Sequence, residues 1–193
     1  MGRRFVLLMS AAAIIVYGST ATAGATVART ASATTRYHYC TSAAPPLGST
    51  RVPVATCFAT FAQAVRAATH DGLRLPASTR SGSITPDQIN ALATPGSSVV
   101  IGIDYSDSYY SGSSYLWSAA ADCGYYGIAV MPSGWNDVVS SVQTYGGCAS
   151  TLFWNSYYGG STTSIGRNSG RATLGTFNDE TSSQQWCPAA PCG

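Results

Sequence analysis

The sequence predicts a mainly β protein, a sandwich or barrel of short strands preceded by a small region with one or two short helices. Three observations carry that expectation. From Ser97 onward, short β-favouring stretches alternate with turn signals in a chain rich in Tyr, Trp, Gly and Ser. Two different motifs each occur twice in this stretch, in the same order. Before Ser97, two segments combine helical apolar spacing with capping residues.

The chain begins with Arg3 and Arg4, an apolar run from Phe5 to Tyr17, and a small-residue stretch from Gly18 to Ala28. This is the pattern of a secretory signal peptide over residues 1–23, with Ala21-Thr22-Ala23 as the A-x-A cleavage site and cleavage after Ala28 as the alternative. The run is too short to span a bilayer, so no membrane association is expected after cleavage. Residues 24–36 are Ala/Thr-rich without apolar periodicity and read as a disordered leader.

Composition narrows the function classes. The chain has no Lys, and without Arg3 and Arg4 it has eight Arg against eight acidic residues. A mature chain without net formal charge lacks the basic footprint that nucleic acid or an acidic membrane requires. The six Cys (Cys40, Cys57, Cys123, Cys148, Cys187 and Cys192) suit an exported chain with three disulfides. Six Cys allow 15 pairings, of which the simplest joins neighbours: Cys40 with Cys57, Cys123 with Cys148, Cys187 with Cys192. Cys spacing and the two His, His38 and His70, do not suggest a zinc site.

Residues 37–96 form a small helix-containing region. A short strand is expected at Tyr37–Cys40, and Pro45, Pro46 and Gly48 mark a turn. Phe58, Phe61, Ala62, Val65 and Ala68 recur at helical spacing, with Thr56 as N-cap and Gly72 as stop. A second helix is expected over Pro86–Ala93, where Thr85 caps, Pro86 opens and Gln88 completes a capping box. No motif here carries chemistry, and the region suits a pro-segment, a packing partner or a separate module. Strands are then expected at Val99–Ile103, Leu116–Trp117, Gly127–Met131, Val138–Val142, Thr151–Trp154 and Ala172–Thr176, with the domain boundary near residue 97.

The first repeated motif aligns Tyr105-Ser-Asp-Ser-Tyr-Tyr110-Ser-Gly112 with Phe153-Trp-Asn-Ser-Tyr-Tyr158-Gly-Gly160, 48 residues apart. Two aromatics spaced by five can cover a folded-over hairpin, and the Gly supplies a positive-φ backbone. The second aligns Trp135-Asn-Asp-Val-Val-Ser-Ser141 with Phe177-Asn-Asp-Glu-Thr-Ser-Ser183, 42 residues apart. Together they resemble the two signatures of microbial βγ-crystallins, over roughly residues 98–187. That resemblance implies two four-stranded Greek keys packed as a β-sandwich over 97–187, followed by a C-terminal tail at 188–193. It also relates the fold to secreted actinobacterial metalloproteinase inhibitors.

The resemblance further implies two Ca2+ ions held crosswise. One would take the Ser140 hydroxyl and Val138 carbonyl from the first segment and the Asp179 carboxylate from the second. The other would take the Ser182 hydroxyl, the Glu180 carbonyl and the Asp137 carboxylate. Asn136 and Asn178 would shape the turns or join the ligands, and hairpin carbonyls near Ser106 and Trp154 would add one ligand each. Calcium takes six to eight oxygens, and one carboxylate per site implies weak, structural binding, on the order of micromolar to millimolar.

Other classes fit less well. A triad would need His38 or His70, both outside the repeats, and Asp104, Asp107 and Asp122 read as solvated or turn-stabilising residues. No catalysis is expected. Metalloproteinase inhibition is the main alternative, with Cys187-Pro-Ala-Ala-Pro-Cys192 as a constrained loop, although that loop lacks anchor residues. A killer-toxin-like or cell-surface glycan-binding module is another, using Tyr105, Tyr109, Tyr110, Trp154, Tyr157 and Tyr158 as a patch unless alternate members face the core. The expected partners are thus an extracellular protease or a cell-surface glycan, and the protein is expected to be a monomer.

Overall fold

Two matching groups of four strands dominate the computed structural model, which describes residues 38–92 and 98–193, apart from the side chains of 90–92. The expected signal peptide and leader lie outside the described residues. The first group is β3 (Val99–Asp107), β4 (Ser111–Ala119), β5 (Tyr126–Ile128) and β6 (Ser141–Thr144). The second is β7 (Ala149–Asn155), β8 (Gly159–Ile165), β9 (Gly170–Arg171) and β10 (Ser183–Cys187). One sheet contains the order β4-β3-β6-β9 and the other is β8-β7-β10-β5. Each group therefore lends its third strand to the other group's sheet. The two orders correspond strand for strand, which is a pair of Greek keys related by pseudo-twofold symmetry.

Alternation along the strands builds the core between the sheets. Ile101, Tyr115, Trp117 and Val142 from one sheet meet Ile128, Leu152, Ile165 and Trp186 from the other, all essentially buried. Trp117 and Trp186 touch across it with ring centroids 5.1 Å apart. Gly102 makes room for this contact, since a Cβ there would lie 2.5 Å from Trp186 Nε1.

The sheet containing β3 and β4 also has an apolar outer face: Val100, Ile103, Tyr105, Leu116 and Tyr145. The N-terminal region covers it. β1 (Tyr39–Ala43) adds to this sheet parallel to β4, and β2 (Thr56–Phe58) pairs antiparallel with β1 at the edge. Helix α1 (Phe61–Ala68) lays Phe61, Ala64, Val65 and Ala68 on the outer face. A polar cluster completes the join: Tyr105 Oη donates to Gln143 Oε1 at 2.6 Å, Tyr145 Oη reaches the same oxygen at 2.9 Å, and Gln143 Nε2 reaches the Ile84 carbonyl. The texture change near residue 97 does not coincide with a break in packing, and all described residues belong to one compact unit, Thr35–Gly193.

The three disulfides join neighbours: Cys40–Cys57, Cys123–Cys148 and Cys187–Cys192. The first ties β1 to β2, where Cys40 and Cys57 face each other in register. The last closes a loop whose tip is exposed while Cys192 is buried and its N–H donates to Thr151 Oγ1.

Several local expectations are corrected. The first helix is capped by Thr60, which forms a reciprocal capping box with Gln63, and not by Thr56, which lies in β2. Thr56 has Ala59 three residues on, so it has no side chain to complete a box. The second helix, α2 (Pro86–Leu92), has its expected Thr85–Gln88 box, and Ala93 lies outside the described residues. Ala172–Thr176 is not a strand: the chain enters a 3-10 turn at Gly175–Phe177, with Gly175 at φ 63°. Val138 to Ser140 belong to a loop, and β6 starts at Ser141. β8 and β10 are strands that lack an apolar signature, being Ser/Thr-rich and Gln-containing.

Candidate functional site

The repeated hairpins and loops meet at one end of the sandwich. In each hairpin two Tyr adopt left-handed backbone before the Gly: Tyr109, Tyr110 and Gly112 at φ 61°, 59° and 77°, and Tyr157, Tyr158 and Gly160 at 58°, 62° and 76°. The ribbon folds over, so the second aromatic packs edge-on against the first. Ring centroids are 5.6 Å apart for Tyr105–Tyr110 and 5.5 Å for Phe153–Tyr158. Each folded Tyr lies over a Gly of a third strand. A Cβ on Gly170 would come within 2.6 Å of Tyr110 Oη, and one on Gly127 within 2.7 Å of Tyr158 Oη.

The last Ser of each loop motif fastens its own hairpin. Ser141 Oγ donates to the Asp107 carbonyl at 2.7 Å and accepts from the Tyr110 N–H at 3.0 Å. Ser183 Oγ donates to the Asn155 carbonyl at 2.6 Å and accepts from the Tyr158 N–H at 3.0 Å. The pattern marks these two serines but does not show this task.

The preceding residues link the two keys crosswise. Asp137 and Asp179 take φ 55° and 59°. Their N–H groups donate to the Thr181 and Val139 carbonyls of the opposite loop at 3.1 and 3.0 Å. Ser182 Oγ donates to Asp137 Oδ1 at 3.0 Å. Ser140 Oγ lies 2.9 Å from Asp179 Oδ1 and 2.8 Å from the Ser106 carbonyl. A serine hydroxyl has one proton, so Ser140 can satisfy one of those two acceptors at a time. Three oxygens therefore converge with one proton between them at the exposed Asp179, a donor deficit that water or a hard cation fits.

The remaining candidates divide by role. Asn136 Nδ2 and Asn178 Nδ2 each donate to Oδ2 of the following Asp at 2.6 Å, so they aim the carboxylates. Among the described residues, no donor reaches the Val138 or Glu180 carbonyl. Trp154 packs its ring on Phe177 with centroids 5.4 Å apart. Among the described residues no three His, Cys, Asp or Glu side chains gather as a metal cluster. A cation here would rest on hydroxyl and carbonyl oxygens with one carboxylate per site.

Asp104 is not solvated or in a turn. It sits in β3, fully buried between the sheets, with Oδ2 accepting from Trp117 Nε1 at 2.6 Å and Oδ1 from Gln184 Nε2 at 3.2 Å. Burial pushes its carboxyl up to about 7, against the pull of the two hydrogen bonds. A polar residue in an otherwise apolar strand gave no signal of this. The tyrosine patch is also divided: Tyr105 is buried, Tyr110 and Tyr158 are half-buried, and Tyr109 and Tyr157 are 75% and 73% exposed. Of the imidazoles, His38 is exposed and His70 Nδ1 pairs with Ser98 Oγ at 2.6 Å.

No family model and no curated protein matches the chain. Among solved structures, it is similar to a domain studied for the evolution of the eye-lens βγ-crystallin fold, with 25% identity over 45% of this chain and 84% of that one, at a TM-score of 0.37. A βγ-crystallin domain from Flavobacterium johnsoniae has 28% identity over 48% of this chain and 99% of its own, at 0.34. One from Clostridium beijerinckii has 18% identity over 46% and 99%, at 0.36. Over Val99–Cys187 the chain has the paired-Greek-key fold that its motifs implied, and the solved structures named above are βγ-crystallin domains.

Proposed function

We propose that this is a secreted, non-catalytic protein in which two Ca2+ ions brace the paired Greek keys. The observation that supports it is the donor deficit at the crossed loops, where Ser140 Oγ faces both Asp179 Oδ1 and the Ser106 carbonyl. One ion would be held by Ser140, the Val138 and Ser106 carbonyls and Asp179. The other would be held by Ser182, the Glu180 carbonyl and Asp137. Calcium would supply charge neutralisation and a link between keys that share few covalent constraints. Its ligands come from both loops, so it binds the folded state and stabilises it by mass action, about 2.7 kcal/mol at a hundredfold excess over Kd. Three disulfides suit an oxidising compartment, which supports export.

Thermal unfolding in millimolar Ca2+ against chelator tests the reading. The melting temperature should rise with calcium and return with chelator. Asp137→Ala combined with Asp179→Ala should remove the rise. An unchanged melting temperature in the wild-type protein sinks the proposal.

A further inference from the structure

The two hairpins are equivalent by pseudosymmetry, but the N-terminal region stands beside the first. The turn at Ser81–Ser83 packs on the hairpin at Tyr109–Gly112, with Gly82 against the Tyr110 carbonyl, and an open cleft of about 640 Å3 runs along that seam. A volume of that size suits a small ligand of one or two rings. Its lining includes Tyr39, Arg80, Ser83, Tyr109, Tyr110 and Ser111. Tyr109 is 75% exposed. Its left-handed backbone and the bond from its N–H to the Ala172 carbonyl at 2.7 Å fix its place on the hairpin and leave its ring open to solvent. Tyr39 is anchored from behind by an edge contact with Phe61.

The polar groups are complementary to a sugar. Ser83 Oγ spends its proton on the Arg80 carbonyl and Ser111 Oγ on the Ser108 carbonyl, both at 2.7 Å. Their oxygens are left to accept from ligand hydroxyls. Arg80 is the charged residue of the lining, and among the described residues it forms no ion pair. Exposed tyrosine faces take the C–H face of a pyranose, hydroxyl acceptors take its O–H groups, and a guanidinium takes a carboxylate in a bidentate fork. We propose that this cleft binds an acidic saccharide, with a uronate ring against Tyr109 and its carboxylate on Arg80. The proposal is independent of the calcium reading.

Oligogalacturonate, and a neutral galactan of equal length, titrated calorimetrically into the full mature protein in chelator test it. The wild-type protein should bind the uronate, more weakly as salt rises, and the neutral chain at least about tenfold less well. Tyr109→Ala should weaken uronate binding by about tenfold or more. Arg80→Gln should weaken it similarly and erase the preference over galactan. Tyr157 is equally exposed on the second hairpin but does not line the cleft, so Tyr157→Ala should stay within about twofold of wild type. No binding at millimolar uronate, equal binding of galactan, or equal losses in Tyr109→Ala and Tyr157→Ala would each overturn the proposal. Melting temperatures matching wild type would show that these exposed substitutions leave the fold intact.

Discussion

Asp104→Asn should remove most of the dependence of stability on pH between about 4 and 7. The carboxyl has its folded pKa raised to about 7 against 3.8 for the free group, first because it is fully buried. Below 3.8 the group is neutral in both states, so its contribution is complete there. Between 3.8 and about 7 the unfolded chain has released the proton and the folded chain still holds it, so stability falls as pH rises. Above about 7 the loss is complete, about 4 kcal/mol from the gap between those pKa values. That is a large share of the ~5–15 kcal/mol typical of a domain. Asparagine keeps the shape and cannot ionise. Its amide needs an acceptor, and Gln184 Oε1, buried and unpartnered among the described residues, can provide one if the Gln184 amide turns over. The substitution should therefore cost about 1–2 kcal/mol at pH 4 and stabilise by about 2 kcal/mol above pH 7. Urea unfolding of both proteins at pH 4, 5.5, 7 and 8 in chelator, followed by fluorescence of the four Trp, measures this. Taking the difference between the two proteins cancels every other titrating group. Parallel stability–pH profiles would refute the reasoning, because Asp104 would then keep its ordinary ionisation inside the core.

The other predictions concern the joints of the fold. Ser141→Ala and Ser183→Ala should each destabilise by about 2–3 kcal/mol, since each removes one donor and one acceptor from a hairpin closure. The two losses should be nearly additive by denaturant titration, because the serines serve different hairpins. Phe61→Ala should cost about 3–5 kcal/mol by the same measurement, as the ring is 1% exposed beneath the outer face of the sheet. It should also raise binding of a hydrophobic dye, because Leu116 and Tyr105 lose their cover.

Features written in local chemistry were readable from the sequence. The Thr85–Gln88 box reaches three residues, and the two motifs each span fewer than ten. The crossed arrangement of Asp137 with Ser182 and Asp179 with Ser140 is implied by the family that the repeats resemble. The helix start at Thr60 is not legible in the sequence because Phe58 continues the apolar spacing of the helix, while its neighbour Cys57 is held in β2 by Cys40. β8 and β10 are illegible for a different reason. Their Ser, Thr and Gln residues follow no apolar alternation, and what makes them strands is pairing with β7 on either side.

By itself the sequence determined that the C-terminal half holds two copies of one β unit, each with an Asn-Asp-x-x-Ser-Ser segment that concentrates hydroxyl, amide and carboxylate oxygens. Turn geometry, caps and motif repeats depend on neighbours along the chain, so the order of residues suffices to express them. Tertiary structure alone decided that the third strands exchange sheets and that β1 lies parallel to β4, about 75 residues away. It also decided that Asp104 is buried and that the N-terminal region covers an apolar face and walls one cleft. Each of these depends on contacts between distant segments, where burial is set by what arrives from elsewhere in the chain.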